Sequence, residues 1–539
     1  MLKNEKSGDG NLKKIICILL ALCLLFSLVG CRSTADTSSS SENVVVTPSL
    51  STDGKTVSLL YSYSDSFNPY TATTLANREI SSLLYDSLIK TDNNFEAICV
   101  LAQSAEIEDK VCTVKLRDAN FTDGSAVTAD DVVYSYNTAK ATPRYMLNFY
   151  EVQSVSASDS KTVVFKLSQN DPYFINLLDF PIIKSGTSGV TDADGKEISP
   201  VGCGRYYVAE DGLSFKLNKG YYGKKGAVEE IKLINSPDAT STTHYVEVGA
   251  TAVYYTEGDN IVRMSGKKID VNLNRLIYIG VNHSYGSLQS KEMRYAISSA
   301  LDREAICNTA YYNNAVSATG FFNPYFKATQ AHQTIESRPN SKITVENLSK
   351  IGYNNMNSNG FYANSAGNNP VFTLLVNSEN SSRMAAARLI AAQCKTAGIQ
   401  INVIECSYEQ YVERLTSGNF QLYLGEIQVL DNMDFTNLVV SGKSAAYGVG
   451  TPKQQNEDIQ ADEDTPKTEN SQKSSCEQIL SAYHSGTCGI GDVAATLLTE
   501  MPQIPICYLN GVLFYDSAIT GGVEASSSDI YLSFENYEF

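Results

Sequence analysis

"VKLRDANFTDGSAVTADDVVYSYNTA", residues 114–139, is the stretch whose reading decides the architecture of this 539-residue chain. In its second half, "TADDVVYSYNTAK" (128–140), Thr128 stands where a hydroxyl caps a helix. Asp130 and Asp131 follow in the first turn, where the helix dipole favours acids. Just beyond, "KTVVFKLS" (161–168) alternates as a half-buried strand does. Further on, "SKEMRYAISSALDREAIC" (290–307) reads as one amphipathic helix opening at Ser290. "SSRMAAARLIAAQCKTAG" (381–398) reads as a longer helix, stopped by Gly398 and followed by the strand "IQINVIEC". Strands interleaved with helices predict an α/β architecture. No internal repeat is present.

At the N-terminus, residues 15–30 are apolar except for Ser27 and follow Lys3, Lys6, Lys13 and Lys14. That pattern is a secretory signal. Sixteen residues are few for a membrane span, which needs about 20. "LVGC" (28–31) resembles the bacterial lipobox, which implies cleavage before Cys31 and lipidation of its sulfur. Residues 31–44, with four consecutive serines, then read as a flexible tether. The expected location is the extracytoplasmic face of the cell membrane.

The chain carries a formal charge of −17. The leader's four lysines against Glu5 and Asp9 give +2, which leaves about −19 for the mature chain. That charge argues against nucleic acid as a partner. With 19% charged and 43% hydrophobic residues the chain is globular, and its length calls for more than one core. Residues 451–475 hold six acids, three lysines and a single aliphatic, Ile459, besides one alanine, and read as a disordered surface insert. Cysteines 99, 112, 203, 307, 394, 406, 476, 488 and 507 sit mostly among apolar neighbours, as small buried hydrophobes do. A Cys99–Cys112 or Cys476–Cys488 disulfide stays open.

Catalytic signatures are missing. There is no G-x-S-x-G and no H-E-x-x-H, and "SGKS" (441–444) lacks the glycine that a phosphate loop needs at 437. The four histidines have no ligand spacing. Neither an enzyme nor a metal or cofactor site is expected.

Several segments in order resemble the bacterial extracellular solute-binding proteins of family 5, the dipeptide- and oligopeptide-binding proteins of ABC importers. They are "SFNPYTATTLANREISSLLYDSLIKTDNN" (66–94), the opening 114–139 stretch, "SPVGCGRYYV" (199–208), "NRLIYIGVNHS…SKEMRYAISSALDREAI" (274–306) and "EMPQIPICYLNGVLFYDSAITG" (500–521). The resemblance implies a two-lobed, type II periplasmic-binding-protein-like fold with two crossovers and an extra subdomain in the first lobe. Residues 45–272 with 495–539 would form lobe I and residues 273–494 lobe II, closing on a ligand by hinge motion. The implied function is capture of oligopeptides for an ABC permease by a monomer held at the membrane through its lipid. Metal complexes, sugars, small cations or a sensor role without transport are the alternatives.

The same resemblance directs attention to "LYLGEIQVLDNMDFTNLV" (422–439), where family peptide binders keep an aspartate for the ligand's ammonium. Asp431 matches by "D-N-x-D", and Asp434 is the other candidate; bracing a turn is the structural alternative for both. Glu426 stands at the family's usual Trp, adding an acid suited to a cationic ligand. The chain has no Trp. Tyr61 and Tyr63 are candidate aromatic platforms or core residues of their strand. Gly202 and Gly204 would line the cleft through their backbone or form a simple tight turn.

Overall fold

The computed structural model describes residues 49–51, 53–257, 264–450 and 473–539. The leader, Cys31, the tether and nearly all of the acidic insert lie outside them.

Two long strands, Lys267–Val281 and Ile504–Tyr515, pair antiparallel at the centre of a seven-stranded sheet. Near one end the pair is extended by Val253–Thr256. Near the other, Lys267–Val281 pairs with Leu422–Gln428, followed by the parallel strands Val371–Asn377 and Gln400–Cys406. Between the two halves the register shifts from Asn272 to Arg275. Asn274 there takes φ 50°, a left-handed conformation that asparagine tolerates better than most residues. Its amide donates to the carbonyls of Val429 and Leu430, while Asn323 donates to the side chains of Asn272 and Asn274.

A separate core packs on each side of that shift. One gathers Leu59, Phe121, Phe165, Val271, Leu273, Leu513 and Phe534. The other gathers Leu276, Ile279, Leu374, Ile390, Leu424, Leu497 and Ile506. Residues 495–508, placed with the first lobe on sequence, have Leu497, Met501, Ile504 and Ile506 in the second core. Leu509 packs against both cores and Leu513 lies in the first.

Beneath the first core lie two four-stranded sheets. In one, Thr56–Tyr61 runs parallel to Glu230–Asn235. The other is antiparallel, built from Ala102–Glu108, Val111–Leu116, Thr162–Leu167 and Val152–Asp159. The helix Ala129–Lys140 lies on it, and Asp131 Oδ2 accepts from the Thr128 N–H (2.9 Å) and hydroxyl (2.7 Å) in a capping box.

Helix 381–398 is Ser381–Thr396, capped by Asn380, with Gly398 at φ 78° just past its end. The single helix expected over 290–307 is two, Lys291–Ser299 and Arg303–Ala310. Asp302 breaks it by accepting from Ala305 N–H at 2.8 Å, a capping bond that competes with helix continuation. Cysteines 99 to 507 are all free thiols, seven of them buried, so neither open pairing is formed.

Candidate functional site

A cavity of about 280 Å³ lies at the register shift, between the two cores. Arg78, Glu79, Arg144 and Asp179 line it from the first core's side; Glu257 and Arg275 stand at the crossing, and Gln428 and Asp431 face it from the second. Its chemistry is set by charges that the protein leaves partly unanswered. Arg78 Nε is buried without a hydrogen bond. Among the described residues neither Arg78 nor Arg144 is in an ion pair. Arg144 lies 5.3 Å over the Tyr145 ring.

The acids are equally unsettled. Asp431 Oδ2 accepts from Thr91 Oγ1 at 3.0 Å, yet burial, with the charge of Asp179 adding to it, pushes its carboxyl up to about 7. Burial also pushes Glu79 up to about 7, with Arg144 pulling the other way. Asp179 rises to about 6 for the same reason; Ser528 is near it yet outside hydrogen-bond geometry. Arg275 and Glu257 are answered, by one another at 2.9 Å and further by Glu426, 3.7 Å from Arg275, and by the Tyr255 hydroxyl, 3.0 Å from Glu257.

Of the residues singled out from sequence, Asp431 alone lines this cavity. Asp434 braces a turn: Oδ1 accepts from the Thr436 N–H (2.8 Å) and hydroxyl (2.5 Å), and His484 Nε2 stands 3.8 Å away. Glu426 is neutralised from two sides, by Arg383 at 2.5 Å and by Arg275, which removes the spare acid expected for a cationic ligand. Tyr61 is 3% exposed, a core residue stacked 5.7 Å from Phe67. Tyr63 is 58% exposed, with Lys196 4.0 Å over its ring. Gly202 and Gly204 serve packing within the protein: a Cβ at either would sit 2.2 Å from the Leu84 carbonyl oxygen or 2.4 Å from its carbon. The close approach expected of these glycines is to residues 83–85 of the chain itself.

A family profile described as "Bacterial extracellular solute-binding proteins, family 5 Middle" matches residues 96–447. The chain belongs to this family. The oligopeptide-binding protein AppA of Bacillus subtilis is 26% identical over 377 residues, which span 66% of this chain and 69% of AppA. Other curated relatives are matched over little more than half their length. Among solved structures, the unliganded open form of the murein tripeptide-binding protein MppA superposes with TM-score 0.67 at 16% identity, over 87% of this chain and 96% of MppA. A nickel ABC transporter protein of Bacillus halodurans gives TM-score 0.68 at 17% identity, over 88% and 98%.

This family 5 protein therefore has the α/β, type II periplasmic-binding-protein fold, and its role is that of the extracytoplasmic substrate-binding component of an ABC importer. Among its described residues no helix is long and apolar enough to cross a membrane. The arginines of its cavity escaped the sequence reading because residues 78, 144 and 275 meet only in the fold. Arg275 alone left a local signal, a charge within the otherwise apolar run "LIYIGV" that follows it in a buried strand.

The seam beside the cavity is polar. Asn176 donates to the Asp431 carbonyl at 3.1 Å and Asn432 to Asp171 at 2.7 Å, while Tyr173 packs edge-on to Phe326. Burial pushes Asp171 up to about 6. These contacts join segments of the two cores.

Proposed function

We propose that this protein captures peptides with free termini in the cavity between its two cores and delivers them to an ABC permease. Asp431 receives the ligand's ammonium, and Arg78 and Arg144 receive its carboxylate. The observation that carries this reading is the placing of a buried acid, Asp431, with two arginines that are in no ion pair among the described residues, across a cavity of about 280 Å³. Each of those groups is costly while alone, so a zwitterion that answers both ends is favoured by more than its contact area. The names of AppA and of MppA, a tripeptide binder, support the same class. Closure of the lobes about residues 272–274 would bury the ligand, which shifts the population to the closed state by its differential affinity.

The lipobox-like "LVGC" supports attachment at Cys31, with the soluble part tethered by residues 32–44. One feature favours a second reading: unpaired arginines also suit the carboxylates of an anionic metal chelate, and a nickel ABC transporter protein shares the fold.

Isothermal titration with trialanine, N-acetyl-trialanine and trialanine amide separates the readings. Peptide capture predicts that each blocked form binds at least tenfold more weakly. Equal binding of all three refutes the assignment of the ends, and binding of nickel–EDTA with none of a peptide transfers the site to the second reading.

A further inference from the structure

The charged cavity has an apolar neighbour. A second cavity, also about 280 Å³, opens at the carboxyl ends of the parallel strands Thr56–Tyr61 and Glu230–Asn235, the position where open α/β sheets take their ligands. Leu60, Leu75, Ile80, Val253 and Ile530 supply its aliphatic wall. Glu79 lines both cavities, so the two adjoin at that carboxyl.

Several polar groups of the second cavity are already engaged within the protein. Thr74 Oγ1 donates to Asp65 at 2.6 Å, Ser236 and Thr242 share a bond of 2.6 Å, Asp238 accepts from Ser241 N–H at 2.7 Å, and Tyr255 donates to Glu257 at 3.0 Å. An occupant meets the aliphatic side chains while these hydroxyls and Asp238 keep their partners in the protein. The Glu79 carboxyl, between the cavities, carries no hydrogen bond or ion pair among the described residues, and burial raises it to about 7. The aliphatic wall beyond Glu79 suits an apolar side chain, whereas a cationic one would bury its charge against it with Glu79 alone to answer it.

We propose that this second cavity is a side-chain subsite selecting a large apolar residue, so that the preferred ligands are short peptides carrying a leucine-, isoleucine- or phenylalanine-sized group. The assignment rests on the peptide reading above and names the class of peptide. The occupant's polar ends stay in the charged cavity, and its apolar side chain crosses past Glu79 to lie against Leu60, Ile80 and Val253. Ala76 also lines the cavity, so a larger residue there competes with the ligand for space.

The test is titration of the native protein with trialanine and with tripeptides bearing Leu, Phe or Lys at one position at a time. At one position Leu and Phe should bind roughly 50-fold tighter than Ala, as burial of three further methylenes requires, and Lys should bind no better than Ala. The Ala76→Leu variant should collapse that ratio to a few-fold. If every peptide binds and no position distinguishes Leu from Ala, or if the ratio survives Ala76→Leu, the subsite is refuted while the peptide reading stands. If no peptide binds, the peptide reading fails and the subsite falls with it.

Discussion

Binding at Asp431 should be linked to proton release. Its carboxyl is pushed from 3.8 up to about 7, chiefly by burial, and an ammonium partner can be answered only by the ionised form. At pH 7 about half the molecules must lose a proton on binding; at pH 9 almost none must, and at pH 5 nearly all. For one such proton, affinity at pH 5 is roughly 50-fold below that at pH 7, and above about pH 8 it falls again as the ligand's own α-ammonium deprotonates. Glu79 and Asp179 face the same space and titrate nearby, and their ionisation favours the same ammonium; Arg78, Arg144, Arg275 and Glu257 are the other charges there. Asp431→Asn isolates the share of Asp431.

Stability runs the other way. An acid whose folded pKa is raised penalises folding once it ionises, so the cost grows from pH 4 to pH 7 and is full above it. A shift of about 3 units corresponds to roughly 4 kcal/mol. Unliganded Asp431→Asn should therefore melt higher than the native protein at pH 8, with the gap closing towards pH 4. Calorimetry in buffers of different ionisation heat reads the proton count directly, and thermal melts read the stability. Affinity that stays flat from pH 5 to 8, or an Asp431→Asn variant that binds trialanine as tightly as the native protein at pH 8, would refute the reasoning.

Arg144→Gln should weaken trialanine about tenfold and leave trialanine amide nearly unchanged, measured by the same titration. Gly204→Ala should lower stability by about 3 kcal/mol through the clash with Leu84, seen as a drop in the denaturant midpoint, with no change in which peptides are preferred. Glu426→Gln strips Arg383 of its charge partner at a partly buried site and should cost roughly 2 kcal/mol in the same unfolding assay. In a thiol-reagent titration of the native fold, Cys99 and Cys488 should react first among cysteines 99 to 507, because burial holds Cys112, Cys394 and Cys476 up at about 12.

Local chemistry was legible in the sequence wherever a few neighbouring residues decide the outcome. Thr128 with Asp131 marks a helix start, and Gly398 marks a stop, because caps and left-handed turns depend on side chains within one turn. Asp302 shows the limit: one aspartate in an amphipathic run was read as part of the helix, yet it starts a new one. The site was legible at one residue, Asp431. Arg78, Arg144, Asp179 and Arg275 come from four separate segments, and no spacing in the chain records that they converge. Glu426 misled for a related reason, since its partner Arg383 is 43 residues away.

The last strand, Ile504–Tyr515, threads the middle of the main sheet and completes both cores, with Ile506 on one side and Leu513 on the other. The first core also waits for Ile530, Tyr531 and Phe534. While the chain is being made, therefore, neither half can finish until more than 500 residues are available, and the pairings that close it span more than 200 residues in sequence. Such non-local closure is slow. A growing chain of this topology keeps both cores incomplete until its last long strand has been made.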